Sequence, residues 1–349
     1  MPEKDLQLGG RMEELFQRIS ERIESARRVL AQGANVTILR TNYEIGRYIV
    51  EEEQEGALRA KYGELVLERL SERLTERYGV GWSVRNLKYF RQFYVAYSNS
   101  ANTFAESGKR HLSWSHYLVL MRIDNPQERS FYEIEAGRQQ WSVRELQRQY
   151  GASLYERLAL SRDGEAVMRL AQQGQQMEKP MDILKNPFTL EFLGLKPDAA
   201  YSESDLEGAI VGHLQEFLLE LGRGFLFEAR QKRFTFDEEH YYVDLVFYNR
   251  LLQCYVLIDL KTGRLSHQDL GQMQMYVNYY DRYERQPFEK PTVGILLCKE
   301  KNDTLVELTL PADANVYAAA YALYLPEKEV LRAKLNEWTE EFEERKALS

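Results

Sequence analysis

The sequence predicts an α+β protein with a mainly α-helical N-terminal domain and a C-terminal α/β domain built on a central mixed sheet. Between residues 12 and 77, apolar and charged residues alternate at helical spacing, and alternation of period two is scarce. After residue 187, apolar strand-like runs alternate with helical stretches, which is typical of a sheet covered by helices. A chain of 349 residues is long enough for about two domains, each with its own core.

We expect the domain boundaries to follow changes in composition. The helical N-terminal domain is predicted over residues 10–155. A polar, glutamine-rich stretch predicts a linker over 156–186. The α/β domain is predicted over 187–326, and a charged helix over 327–349 follows it.

A candidate recognition helix follows Ser83 in the N-terminal domain. Ser83 can cap the helix, and an apolar stripe then runs along one face of it: Leu87, Phe90, Tyr94 and Tyr97. Arg85, Lys88 and Arg91 lie off this stripe and are candidate nucleic-acid contacts, as in helix-turn-helix-like proteins. An ordinary solvated basic face is the alternative explanation of the same pattern.

Charged residues interrupt two strongly apolar runs in the second domain. Asp244 lies within residues 243–247, and both Asp259 and Lys261 lie within residues 256–261. A buried carboxylate is costly unless it is paired or binds a cation, and Mg²⁺ prefers oxygen ligands. The pattern therefore favours a metal site, and a buried structural salt bridge is the alternative for these three residues.

A hairpin centred at Leu251 and Leu252 is predicted between the two runs. That register sets Asp244 directly opposite Asp259, and opposed residues share a face of the sheet. Because side chains alternate along a strand, Lys261 is expected on the same face as Asp259, whereas the apolar residues around them point to the other face. The three charged groups are therefore predicted to converge on one patch.

Helices are predicted on either side of these strands. Upstream, Ser202 can cap a helix that carries Glu207 beside its apolar face. Downstream, Gln272 and Tyr276 fall one turn apart on the same side of a second helix. The predicted order is a helix with Glu, a strand with Asp, a strand with Asp-x-Lys and a helix with Gln.

This order of motifs resembles the PD-(D/E)XK nuclease superfamily, and more closely the YhcG-like family of bacterial nuclease-domain proteins. The resemblance covers nearly the whole chain and implies a restriction-endonuclease-like α/β fold for the C-terminal domain. The segments that carry it in the C-terminal part are Asp205-Leu206-Glu207, Asp244-Leu245-Val246-Phe247-Tyr248, Ile258-Asp259-Leu260-Lys261 and Gly271-Gln272. Those in the N-terminal part are Ile45-Gly46-Arg47, Asn86-Leu87, Arg91-Gln92-Phe93-Tyr94 and Leu112-Ser113-Trp114-Ser115-His116-Tyr117.

The resemblance implies a role for each candidate residue. Asp244 and Asp259 are expected to bind a divalent metal, Mg²⁺ with Mn²⁺ as a substitute, and Lys261 to position or activate the attacking water. Glu207 is expected to support the site as a further ligand, and Gln272 to support it on the other side. The backbone carbonyl of Leu260 is a further candidate ligand.

Two departures accompany the resemblance. Val243 precedes Asp244 where the pattern has proline, and the acid of the second motif is Asp259 rather than glutamate.

The expected function is therefore that of an Mg²⁺-dependent deoxyribonuclease, with the helical domain contributing substrate docking or assembly. The alternative is a catalytically silent nucleic-acid-binding or complex-assembly protein on a nuclease fold. The net charge of −8 neither supports nor excludes DNA as the partner. No signal segment and no apolar run of the roughly 20 residues that cross a bilayer is found, so a cytoplasmic protein without a membrane partner is expected. The sequence does not distinguish a monomer from a homo-oligomer, DNA from RNA, or endonuclease from exonuclease activity.

Overall fold

The computed structural model describes residues 34–52, 60–98, 112–161, 164–196, 200–236, 238–311, 313–325, 327–333 and 335. The chain divides into two compact units between Leu146 and Gln147. The helices of the first unit are α1 (34–52), α2 (Ala60–Tyr78), α3 (Val84–Tyr97), α4 (Trp114–Leu120), α5 (Pro126–Arg138) and the start of α6 (Val143–Gly151). The prediction of a mainly helical N-terminal domain is therefore confirmed.

Helix α3 begins as the sequence predicts. The Ser83 hydroxyl accepts a hydrogen bond from the backbone N–H of Asn86 at 3.3 Å, which satisfies one of the free amides of the first turn. The buried face differs in one position from the predicted stripe, because Phe93 is fully buried whereas Tyr94 is half-buried. Phe93 contacts the rings of Trp114 and Tyr117 on α4, so the buried face of α3 includes a position that the predicted stripe leaves out.

A glycine in α1 allows close packing on α3. A Cβ atom added at Gly46 would lie 2.0 Å from the backbone carbonyl oxygen of Phe90. Ile49 on α1 packs with Phe90 and Leu87 of α3 in one buried cluster. Only a residue without a side chain lets the two helices approach this closely.

The second unit contains a six-stranded sheet in the order β1-β6-β5-β4-β3-β2, with parallel and antiparallel pairings, which confirms the predicted central mixed sheet. Its strands are β1 (Phe188–Thr189), β2 (Phe225–Phe236), β3 (Glu239–Asn249), β4 (Cys254–Arg264), β5 (Val293–Glu300) and β6 (Val316–Ala322). The hairpin strands β2, β3 and β4 are antiparallel neighbours, and β4, β5, β6 and β1 are joined by parallel pairings. This is the restriction-endonuclease-like α/β fold.

Helices cover both faces of the sheet. One face packs against α9 (Glu203–Gly212) and α10 (Leu214–Leu221), through residues such as Leu206 and Phe217. The other packs against α11 (His267–Tyr279) and α12 (Asp303–Thr309), through residues such as Met273 and Tyr276. A turn of π-helix, Tyr280–Glu284, extends α11. Val256, Ile258 and Leu260 all point to the first face, as the alternation along β4 predicts.

The segment predicted as a linker over 156–186 belongs to the second unit, and its described residues, 156–161 and 164–186, are folded rather than free. It contains most of α7 (Leu154–Ala159), the helix α8 (Gly164–Gln173) and a 3₁₀ turn at Pro180–Ile183. The Arg157 guanidinium lies 2.5 Å from the Glu220 carboxylate, and both side chains are completely buried. The polar composition of the segment thus includes charges that are paired inside the unit. The predicted terminal helix, 327–349, is helical at 328–333 and 335, and the other residues after 333 lie outside the described ranges.

Candidate active site

The β3–β4 hairpin has the register that the sequence predicts. Leu245 pairs with Ile258 and Asn249 with Cys254, so the turn is centred at Leu251 and Leu252. The Asn249 side-chain oxygen accepts hydrogen bonds from the backbone N–H groups of Leu251 and Leu252 at 3.0 and 3.1 Å, which stabilises the turn. One step beyond the Leu245 pair, the same register sets Asp244 opposite Asp259.

Asp244 is held by one hydrogen bond at each carboxylate oxygen. Its Oδ2 accepts from the backbone N–H of Leu260 at 2.8 Å, and its Oδ1 accepts from Nε2 of Gln231 at 2.8 Å. The first bond joins β3 to β4 at the point where the pairing of the two strands ends. The two bonds together fix the plane of the Asp244 carboxylate.

Asp259 is buried next to a second negative charge. Its side chain is only 5% exposed, and the negative charge of Asp244 acts on its carboxylate. The pKa of Asp259 is raised to about 7, mainly by burial and then by the charge of Asp244, and the attraction of Lys261 opposes both effects. The position therefore favours a cation or a proton near the two carboxylates.

Lys261 lies on the same face as Asp259 and supplies one positive charge. Its Nζ is 2.8 Å from Asp259 Oδ2, 3.3 Å from Glu203 Oε2 and 3.9 Å from Asp269 Oδ1. Burial lowers the pKa of Lys261, but the charge of Asp259 and the hydrogen bond to it outweigh this effect, so the pKa is raised above its usual value. Lys261 is consequently an ammonium group that donates hydrogen bonds. The structure brings Asp244, Asp259 and Lys261 together as expected.

Glu207 reaches this patch from α9. Its carboxylate is almost completely buried, forms an ion pair with Arg230 Nε, and accepts from Gln231 Nε2 at 2.6 Å. Gln231 therefore links Glu207 to Asp244. Both carboxylate oxygens of Glu207 already have a partner on β2, so its role as a metal ligand stays a prediction.

Gln272 contacts a tyrosine rather than one of the charged site residues. Its side-chain amide hydrogen-bonds the hydroxyl of Tyr276, one turn further along α11. Burial raises the pKa of Tyr276, and Asp259 and Lys261 are among the charges that act on that hydroxyl. Gln272 therefore contacts Tyr276, on which the charges of the acidic pair act, and a direct role of Gln272 in the site stays a prediction.

The structure adds four residues to the site that the sequence did not predict: Gln231, Arg230, Glu203 and Asp269. Gln231 is the most informative of them, because its backbone lies in the left-handed region at φ 47°. For a residue with a side chain, that conformation costs about 1–2 kcal/mol. A glutamine within a strand has no distinctive sequence signal, so only the folded arrangement identifies it.

The donor set at the two aspartates fits a hard divalent cation. Two carboxylates and the backbone carbonyl of Leu260 are oxygen donors, and Mg²⁺ commonly uses one or two carboxylates and keeps several waters. The observation that supports the fit is the burial of Asp259 beside Asp244, where a cation would offset the repulsion that raises its pKa. Within the described ranges, no three or more His, Cys, Asp and Glu side chains are grouped closely enough to hold a metal ion. The pair, rather than a three-acid cluster with Glu207, is therefore the candidate centre.

The candidate nucleic-acid contacts lie on the exposed side of α3, in the first unit. Arg85, Lys88 and Arg91 are all exposed. Arg85 Nε donates to the Tyr89 hydroxyl at 2.9 Å, and its guanidinium lies over the Tyr89 ring. The three positive charges are thus accessible from solvent, which is compatible both with nucleic-acid binding and with an ordinary basic face. In the part of the chain that the structure describes, no helix is long and apolar enough to cross a membrane.

Comparisons with known proteins agree with both halves of this architecture. Residues 18–157 match a family described as the DUF1016 N-terminal domain, and residues 181–336 match the YhcG PDDEXK nuclease domain. The chain is 37% identical over 341 residues to the Escherichia coli (strain K12) protein named "Putative nuclease YhcG", covering 90% of each chain.

A solved structure of a repair endonuclease from Pyrococcus abyssi matches with a TM-score of 0.25 and 17% identity, covering 38% of this chain and 50% of that one. The family assignment rests on the sequence matches, which extend over both units and nearly the whole length of the relative. The chain belongs to the YhcG family, in which a DUF1016 N-terminal domain is joined to a PD-(D/E)XK nuclease domain.

Proposed function

We propose that this protein is a metal-dependent nuclease that hydrolyses phosphodiester bonds in DNA. The observation that carries the proposal is the position of Asp244 beside Asp259 where the β3–β4 pairing ends, with the Lys261 ammonium 2.8 Å from Asp259. A buried acidic pair with one adjacent lysine is costly to build, and membership of a nuclease-domain family agrees with a catalytic use for it.

Each site residue is assigned a separate role in hydrolysis. Asp244 and Asp259 would hold Mg²⁺, with Mn²⁺ as a substitute, and the carbonyl of Leu260 would be a third protein donor. When bound, the cation neutralises phosphate charge and makes a bound water easier to deprotonate. Lys261 would donate a hydrogen bond to the attacking water and stabilise the negative charge that builds up on the phosphate. Because the Lys261 pKa is raised, the residue acts as a donor rather than as the base that takes the proton of that water.

The helical N-terminal domain is proposed to dock the substrate. Arg85, Lys88 and Arg91 present three exposed positive charges along α3, whose opposite side is fixed by buried residues such as Leu87 and Phe93. Lys and Arg side chains on a well-anchored helix are suited to phosphate contacts, which set position and affinity rather than sequence preference. DNA is the proposed partner.

The decisive experiment is a cleavage assay on a panel of substrates. Purified protein is incubated with single-stranded, double-stranded and branched DNA and with RNA, in Mg²⁺, in Mn²⁺ and in EDTA, beside Asp259→Asn prepared identically. Metal-dependent cleavage of DNA by the wild type, absent from the variant, supports the proposal. Binding without cleavage under every condition would instead indicate a catalytically silent binding protein, and cleavage of RNA alone would correct the substrate.

A further inference from the structure

We propose that Gln231 is a positioning residue that orients the Asp244 carboxylate for the metal and anchors it to Glu207. The inference rests on the proposed metal-dependent function. It concerns a residue on β2, outside the two motifs that carry the aspartates and the lysine.

The contacts of Gln231 suit this role. Its Nε2 lies 2.6 Å from Glu207 Oε2 and 2.8 Å from Asp244 Oδ1. A side-chain amide nitrogen carries two N–H donors, so one group can satisfy two carboxylates at once. The other oxygen of Asp244 accepts from the Leu260 backbone N–H, and Gln231 therefore completes the orientation of that carboxylate.

The backbone of β2 is distorted at this residue in a way that brings its side chain to the acids. Arg230 pairs with Leu245 and Lys232 with Val243, so Gln231 lies opposite Asp244. Consecutive residues of a regular strand point to opposite faces. Arg230 and Gln231 nevertheless both contact Glu207, and the left-handed φ of 47° at Gln231 is the break in alternation that allows it.

A neutral amide is chemically suited to this position. An arginine or lysine in its place would offset the charge that attracts a cation, whereas an amide orients the carboxylates and leaves their negative charge in place. Hydrogen-bonding partners of metal-binding carboxylates typically contribute roughly 10- to 100-fold to metal affinity. Loss of the Gln231 amide should therefore weaken metal binding by roughly that factor.

The test measures Mn²⁺ binding by calorimetry, without substrate, for wild type and Gln231→Gly. Glycine accepts the left-handed backbone without strain, which offsets part of the stability lost with the hydrogen bond to the buried Glu207, so the variant is expected to fold. Its melting temperature in EDTA records the net effect. Its Mn²⁺ dissociation constant is expected to rise roughly 10- to 100-fold.

A matched control is present in the neighbouring β3–β4 hairpin. Gln253 is also a glutamine with a left-handed backbone, at φ 57°, but it is exposed in the turn of the β3–β4 hairpin, away from the acids. Gln253→Gly makes the same chemical change and relieves the same kind of strain, and it should leave Mn²⁺ affinity unchanged.

Glu207→Gln supplies a second readout that separates positioning from stability. If Gln231 acts by bridging the two acids, Gln231→Gly should weaken Mn²⁺ binding much less in the Glu207→Gln background than in the wild type. Equal Mn²⁺ affinity of wild type and Gln231→Gly would overturn this inference and leave the proposed function intact. Failure of the wild type to bind Mn²⁺ would overturn both.

Discussion

Leu260 donates its backbone N–H to the Asp244 carboxylate at 2.8 Å, which ties β4 to β3 where the two acids face each other. The neighbours of Leu260 on the same strand, Asp259 and Lys261, are joined by an ion pair of 2.8 Å. Three consecutive residues of β4 therefore supply a backbone donor, a carboxylate and an ammonium group to one patch. The consequences of this arrangement can be measured separately.

Replacing Asp259 should remove a charge that destabilises the metal-free protein. The pKa of Asp259 is raised to about 7 from its usual value near 3.8, mainly by burial and then by Asp244. The folded state therefore keeps a proton that the unfolded chain has already lost, and its stability falls as pH rises from about 4 to about 7. In EDTA, the free energy of unfolding of Asp259→Asn should not fall over this pH range. At pH 8 it should exceed that of the wild type by a few kcal/mol, since each pKa unit corresponds to about 1.4 kcal/mol.

Urea unfolding at pH 4, 6 and 8 checks the prediction for Asp259. The same variant should not cut nucleic acid, and Mg²⁺ should raise the melting temperature of the wild type but not of Asp259→Asn. If the free energies of unfolding of the wild type and Asp259→Asn change with pH in parallel over this range, Asp259 does not have the raised pKa that its environment indicates.

Lys261→Met should reduce cleavage far more than binding. Methionine preserves much of the length and apolar stem of the side chain but removes the ammonium group that lies beside Asp259. A group that acts on the attacking water contributes mainly to the chemical step, so single-turnover cleavage should fall by roughly 10²- to 10⁴-fold. Binding of the same DNA, measured in Ca²⁺ by fluorescence anisotropy, should change little. A parallel loss of binding and cleavage would identify Lys261 as a phosphate contact instead.

The basic side of α3 should contribute salt-dependent affinity. Each phosphate contact releases counterions, so removing one positive contact should flatten the slope of log affinity against log salt by roughly one unit. The triple variant Arg85→Ala, Lys88→Ala and Arg91→Ala should bind DNA more weakly and with a slope shallower by about three units.

A control for α3 is available on the same helix. Val95 is 58% exposed and uncharged, and Val95→Ala should change neither the slope nor the affinity. If the triple variant behaves like Val95→Ala, α3 carries an ordinary solvated basic face, and DNA docking belongs to the nuclease domain alone.

Arg157→Met should strongly destabilise the C-terminal unit. It leaves the completely buried Glu220 without its nearest cation, and breaking a buried pair in this way typically costs about 3–5 kcal/mol. Burial raises the pKa of Glu220, but Arg157, Lys185 and the Thr189 N–H outweigh it, so the pKa is lowered. The pair therefore contributes stability above the unfolded pKa of about 4.5, and that contribution is lost as pH falls through the lower folded value.

The matched variant for this pair is Arg157→Met combined with Glu220→Gln, which removes both charges. It should recover part of the stability, because no buried charge is left unpaired. Guanidinium unfolding of the three proteins at pH 7 and pH 4 distinguishes the outcomes. A single variant as stable as the wild type would show that Lys185 alone balances Glu220.

The acidic pair and its lysine could be predicted from the sequence because they depend on local regularities. Side chains alternate along a strand with a period of two, and the turn at Leu251 and Leu252 sets the register, so the positions of Asp244, Asp259 and Lys261 follow from counting residues. The cap at Ser83 is equally local, because the donor lies three residues away.

What only the tertiary structure decided depends on contacts between distant parts of the chain. Gln231 and Glu207 are 24 residues apart, and they meet because the left-handed backbone at Gln231 turns a strand side chain towards α9. Arg157 and Glu220 are 63 residues apart, and the predicted linker included Arg157 because the local sequence does not show that its charge is paired in the interior. Periodicity is encoded in near neighbours, whereas the partner of a buried polar group is set by how the helices pack on the sheet.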